Sequence, residues 1–123
     1  MQSPSETHAG RRVLLIEPQS LFAPYFVATL ESLGLAVVGV RSRADVRAVR
    51  ALAPDVVVVD LAHLPVAPLR IIRALRRALP LAHIVVYANA VDTVWTNVAR
   101  SLGADTIIGP RSEERDLIAA LAA

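Results

Sequence analysis

The sequence contains no cysteine and no lysine. Without cysteine there is no disulfide and no thiolate metal site. Without lysine, any mechanism that needs a lysine side chain is excluded. All 13 basic residues are arginine, and against 11 acids they leave a formal net charge of only +2. Aromatic residues make up just 4% of the chain. None interleaves the arginines as a stacking platform would, so nucleic acid is an unlikely partner. The apolar runs are no longer than a strand, so no segment is expected to span a membrane. Met1 to Gly10 is polar and lacks the apolar stretch of a signal peptide. It reads as a loose tail over residues 1–10, and a cytoplasmic location is the expectation.

What is present is apolar. Hydrophobic residues form 54% of the 123 positions, far above the level at which chains stay disordered. That length suits one compact domain, here residues 11–123, which buries roughly two thirds of its unfolded surface. Five apolar runs stand out: Val13–Ile16, Leu35–Val40, Val56–Val59, Ile84–Tyr87 and Thr106–Ile108.

Five helical patterns alternate with these runs. The first covers about Pro24–Leu33, with Phe22, Phe26, Leu30 and Leu33 on one face and Gly34 placed as a C′ glycine. Ser42 is the expected cap of a second helix to about Leu52, with Val46, Val49 and Leu52–Ala53 facing inward. Pro68 opens a third to Leu79, burying Leu69, Ile72, Leu75 and Leu79. Asn89 and Asp92 suggest a cap for the fourth, whose buried stripe is expected to be Val91, Val94–Trp95, Val98 and Leu102, ended by Gly103. Ser112 caps the last, with Leu117, Ile118 and Leu121 inward. Right-handed crossovers then place helices on both faces of a parallel sheet. The expected architecture is (βα)5: a flavodoxin-like three-layer α/β sandwich.

The most informative segment is Pro54-Asp55-Val-Val-Val-Val-Asp60. A pure β-branched run suits a strand buried on both faces of a parallel sheet. In open α/β sheets, chemistry gathers beyond the carboxyl ends of the strands. Asp60 closes the third run and Glu17 closes the first, so two acids are expected at strand ends.

This pattern resembles the receiver (CheY-like) domain of two-component response regulators, over about Arg12–Ala122. Val-Leu-Leu-Ile-Glu17 is similar to the family's first strand, and Pro54–Leu61 to its phosphoacceptor strand. Ser101-Leu102-Gly103-Ala104-Asp105 is similar to its Gly-Ala-Asp motif. The resemblance implies strand order 2-1-3-4-5, with Asp60 as phosphoacceptor and with Glu17 and Asp60 as weak Mg²⁺ ligands. It also exposes substitutions. Pro18 stands where a second acid is usual, Ala88 where a Thr or Ser would bond the phosphoryl group, and Gly109 where a lysine would pair with it. Asn89 is a weak substitute for the hydroxyl, and Arg111 would have to reach in for the lysine. Ile107 or Ile108 replaces the switch aromatic. Leu64 replaces a proline, with Pro65 one position later.

The resemblance therefore implies an atypical, degenerate receiver acting as an interaction module in signal transduction, with weak or no phosphorylation and no other enzymatic activity. Its alternative is a working switch in which Asp60 accepts phosphate from a histidine kinase. Implied partners are that kinase or an output or regulatory protein. A homodimer could form through the fourth helix, fifth strand and fifth helix, with Trp95, Arg100, Arg111 and Arg115 as interface candidates and Tyr87 nearby.

Other readings compete. The arginines at 70, 73, 76 and 77, and at 43, 47 and 50, form stripes that suit either solvent or an acidic partner. His63, near Asp60 and Glu17, could in principle complete a transition-metal site; His83 merely starts a strand. A flavodoxin-like cofactor domain is a third functional class. However, Asp60-Leu-Ala-His63 lacks the spacing and glycine of a cobalamin loop, and Pro18-Gln19-Ser20 is not a glycine-rich phosphate loop.

Overall fold

A computed structural model describes residues 11–18, 23–43, 45–61, 69–88 and 93–109. In chain order the elements are β1 (Arg12–Ile16), α1 (Ala23–Ser32), β2 (Ala36–Arg41), α2 (Val46–Leu52), β3 (Val56–Asp60), α3 (Arg70–Ala78), β4 (His83–Tyr87), α4 (Thr93–Leu102) and β5 (Thr106–Ile108). The five strands are parallel, in the order β2-β1-β3-β4-β5. The expected α/β fold and strand order are thus observed, with four helices described. The fifth predicted helix lies outside the described residues. So do the tail, Phe22, His63, Leu64, Pro65, Pro68, Asn89, Val91, Asp92, Arg111 and Arg115.

Side-chain alternation along the central strands divides the core in two. Leu14, Ile16, Val57, Val59, Ile84 and Val86 face one side, where Val49 of α2, Ile72 and Leu75 of α3 and Ala99 of α4 cover them. Val13, Leu15, Val56, Val58, Val85 and Ile108 face the other, against Phe26 and Leu30 of α1 and Leu33 just after it. Every residue of β3 is fully buried. Continuous valine works there because neither face meets water.

Helix ends follow local chemistry. Gly34 has φ +84°; its N–H donates to the Glu31 carbonyl and the Leu35 N–H to that of Leu30. This is a Schellman closure of α1. Gly103, at φ +126°, ends α4 the same way, with Ala104 N–H donating to Ala99. A Cβ at Gly103 would also collide with Arg76.

Three expectations fail locally. Asp45, not Ser42, caps α2: its carboxylate accepts the N–H groups of Arg47 at 3.0 Å and Ala48 at 3.3 Å. Asp competes well for this position, and capping there shortens the helix. Val46 and Ala53 are then exposed, the latter at a left-handed C-cap, leaving Val49 as the buried residue of α2. On α4, Val94 is 74% and Val98 41% exposed, whereas Ala99 is buried and Trp95 and Leu102 pack on the core. The inward stripe is 95-99-102, because a small alanine lets α4 approach the sheet where a valine was expected to fill the gap.

Arginines tie the ends of the helices to the strands. Arg12 donates to the carbonyls of Leu52 and Ala53 at the end of α2, and Arg50 to that of Ala78 at the end of α3. Arg76 is the most connected. It donates to the carbonyls of Leu79, Pro80, Ala82 and Gly103 and to Asp105 at 2.5 Å. The arginine stripe on α3 therefore divides. Arg76 turns into the structure, while Arg70, Arg73 and Arg77 stay exposed. Only a guanidinium offers enough donors in a fixed fork for this many carbonyls. Arg76→Ala should destabilise the domain by about 2 kcal/mol through orphaned carbonyls. Arg76→Lys should recover less than half of that loss, as read from urea denaturation midpoints.

Candidate functional site

The parallel register decides which residues meet at the carboxyl ends of the strands. Ile16 pairs with Val59, so Glu17 and Asp60 follow that pair at one level of the sheet. Asp60 itself pairs with Tyr87, and Tyr87 with Ile108. The loops leave the sheet through Leu61 N–H to Tyr87 O, Ala88 N–H to Ile108 O and Glu17 N–H to Arg41 O. Glu17, Asp60, Ala88 and Gly109 thus stand at the ends of four neighbouring strands, and Pro18 follows Glu17.

Burial separates this cluster from an open acidic pocket. Asp60 is 0% and Glu17 2% exposed. Two carboxylates sunk in one sheet edge carry a desolvation cost that their interactions must offset, and both do have partners. Ala88 is buried and presents only a methyl group at the end of β4. Tyr87 turns to the α1 side instead of a partner face. Its ring meets Phe26 edge-on, with centroids 5.4 Å apart and an interplanar angle of 79°. No local pattern marks this aromatic as the register neighbour of Asp60, because strand pairing is a tertiary fact. Ile108 is buried in the core and Ile107 packs against it.

Mg²⁺ prefers near-octahedral oxygen coordination. At this end of the sheet the described residues offer two carboxylates, with Pro18 adding no side-chain donor. No group of three His, Asp or Glu residues suited to a metal occurs among the described residues. The donor set falls short of a three-acid site, and no chemical step is assigned to a metal here.

The other motif acids sit at the opposite pole. Asp55 Oδ2 accepts the N–H of Arg12 at 2.8 Å, which starts β1. Asp105 Oδ2 accepts the N–H of Ile84 at 2.8 Å, at the start of β4. Each aspartate precedes a strand and closes an amide at the start of its neighbour, that of Arg12, the first residue of β1, or of Ile84, the second of β4. These two residues of the Pro-Asp and Gly-Ala-Asp motifs are architectural. His83 belongs to the same layer, its Nε2 lying 3.0 Å from Thr106 Oγ1.

No protein-family model and no curated protein matches the chain. Solved structures do. A LuxR-family two-component response regulator from an Aurantimonas species superposes with a TM-score of 0.77 at 24% identity, over 90% of this chain and 84% of that one. A Burkholderia pseudomallei protein described as pilus assembly-related gives 0.79 at 18% identity, over 98% and 90%. A response regulator from the same species, solved with a phosphorylated aspartic acid, a calcium ion and citrate, gives 0.76 at 25% identity, over 90% and 66%. The chain has the receiver-domain fold. Within that fold, Glu17 directly follows β1 and Asp60 ends β3, and no helix among the described residues is long and apolar enough to cross a membrane.

Two carboxylates at one level of a sheet repel when both are ionised. Asp60→Asn and Glu17→Gln should each stabilise the domain by about 1 kcal/mol. The double variant should gain less than the sum, because either change alone relieves the repulsion. A double-mutant cycle of denaturation free energies measures this.

Proposed function

We propose that this chain is a degenerate receiver domain serving two-component signal transduction as an interaction module, with weak or no phosphorylation. One observation carries the reading. Around a fully buried Asp60, the positions that would supply a second acid, a hydroxyl and an ammonium hold Pro18, Ala88 and Gly109. Phosphoryl transfer depends on compensating the charge of the transferring group. A chain without lysine has no ammonium side chain to recruit. The domain is then no enzyme, and its signalling state is set by the protein it binds: a histidine kinase or an output or regulatory protein.

The face formed by α4 and β5 suits such binding. Val94 and Val98 are exposed beside the half-buried Trp95, with Arg100 on the last turn of α4. Exposed valine on a helix otherwise anchored by Trp95 and Ala99 is apolar surface available to a partner or to a second copy.

A second reading keeps the phosphorylation switch, and the placement of Asp60 beside Glu17 at one level of the sheet favours it. Beryllofluoride separates the two. With millimolar Mg²⁺ and beryllofluoride, the amide spectrum of a degenerate domain should stay unchanged, and acetyl phosphate should add no mass. Amide shifts clustered at Glu17, Asp60, Ala88 and Gly109, absent in Asp60→Asn, would establish the switch instead. For the α4 face, Val94→Glu with Val98→Glu should abolish any self-association seen by sedimentation while leaving the melting temperature within a few degrees.

A further inference from the structure

The pole opposite Asp60, where the strands begin, carries a feature that the receiver reading does not use. The loop between α3 and β4 lifts Leu81 fully into solvent, 99% exposed. Concave surfaces flank it. On one side lies a polar groove of about 520 Å³, lined by Arg11, Arg76, His83, Arg100, Asp55 and Asp105. On the other lies a depression of about 290 Å³, lined by Ala53, Pro54, Ala78, Leu79 and Pro80, with Arg50 at its edge.

Among the described residues, basic side chains exceed acids at this pole. Helices α1 to α4 all end here, and helix carboxyl ends would ordinarily repel an anion. The carbonyls at the ends of α2 and α3 are already met by Arg12, Arg50 and Arg76. The two lining acids are engaged as well: Asp105 with Arg76 at 2.5 Å and Asp55 with the Arg12 N–H. Among the described residues, Arg11, Arg76 and Arg100 line the groove against these two acids, and Arg50 stands at the depression. Arg76 is committed to Asp105 and the carbonyls, so Arg11 and Arg100 are the groove cations that face a ligand. A cationic groove beside an apolar depression, with a fully exposed leucine between them, matches a ligand that brings carboxylates and one apolar side chain together.

We propose that this pole docks an acidic peptide segment of a partner protein, its apolar side chain seated in the depression beside Leu81 and its carboxylates along the arginine groove. The site is independent of Asp60 and of whether Asp60 is ever phosphorylated. Guanidinium groups suit carboxylates through paired hydrogen bonds, and an apolar anchor supplies the dry contact that a purely ionic groove lacks.

The test is fluorescence anisotropy with a labelled glutamate-rich peptide carrying one central leucine, on the whole chain. Binding should weaken about tenfold in both Leu81→Asp and Arg100→Glu and should fall as salt is raised. Arg47→Glu, on the first turn of α2 at the other pole, makes the same charge change and should leave affinity unaltered. Circular dichroism melts confirm that each variant folds. Amide shifts on titration should centre on Leu81, Ala82 and Gly103. No binding by the wild type, or equal weakening by Arg47→Glu, would overturn the proposal. So would tighter binding of a single-stranded oligonucleotide that displaces the peptide.

Discussion

The β3 strand must exclude water from both of its faces, and the rest of the molecule is arranged to meet that constraint. Val56 to Val59 are fully buried, which requires a paired strand on each side, β1 and β4, and a helical layer on each face. The two core clusters are the two sides of this requirement. Transfer of these side chains from water drives the assembly. It leaves the last residue of the strand, Asp60, wherever the valines place it.

Two poles result, with opposite chemistry. At the carboxyl ends of the strands, acids are drawn in and buried, with Pro18, Ala88 and Gly109 beside them. At the amino ends, arginines serve as the caps that helix carboxyl ends need, and Asp55 and Asp105 close amides near the starts of neighbouring strands. The absence of lysine is consistent with this division. Guanidinium groups can hold several carbonyls at fixed angles, as Arg76 does, and a compact ammonium cannot do so in the same way.

Much of the fold was legible in the residues. The strand runs differ from the observed strands by one residue at most at either end, and Gly34 and Gly103 close helices where their positions indicated. Alternation in β-branched runs reads directly, because a strand has a period of two and few conformational alternatives. Short helices read less well. Ser42 and Asp45 are both good caps, and only the packing of Val49 decides between them. Valine at 94 and 98 fits a helical stripe as well as Trp95 and Ala99 do, and the sequence cannot say how closely a helix lies on its sheet.

The site divides along the same line. That Asp60 and Glu17 end apolar runs, with Pro18 directly after Glu17 and Ala88 and Gly109 directly after the fourth and fifth runs, is a property of the residues themselves, fixed by local pattern. That Glu17 and Asp60 share one level, that both are shut away from solvent, that Tyr87 is the register neighbour of Asp60 and turns to Phe26, and that Arg76 gathers several carbonyls beside the groove that Arg100 also lines, were decided only by tertiary structure. Register, burial and the choice among several carbonyl partners depend on contacts between segments far apart in the chain, and no local pattern of residues encodes those distances.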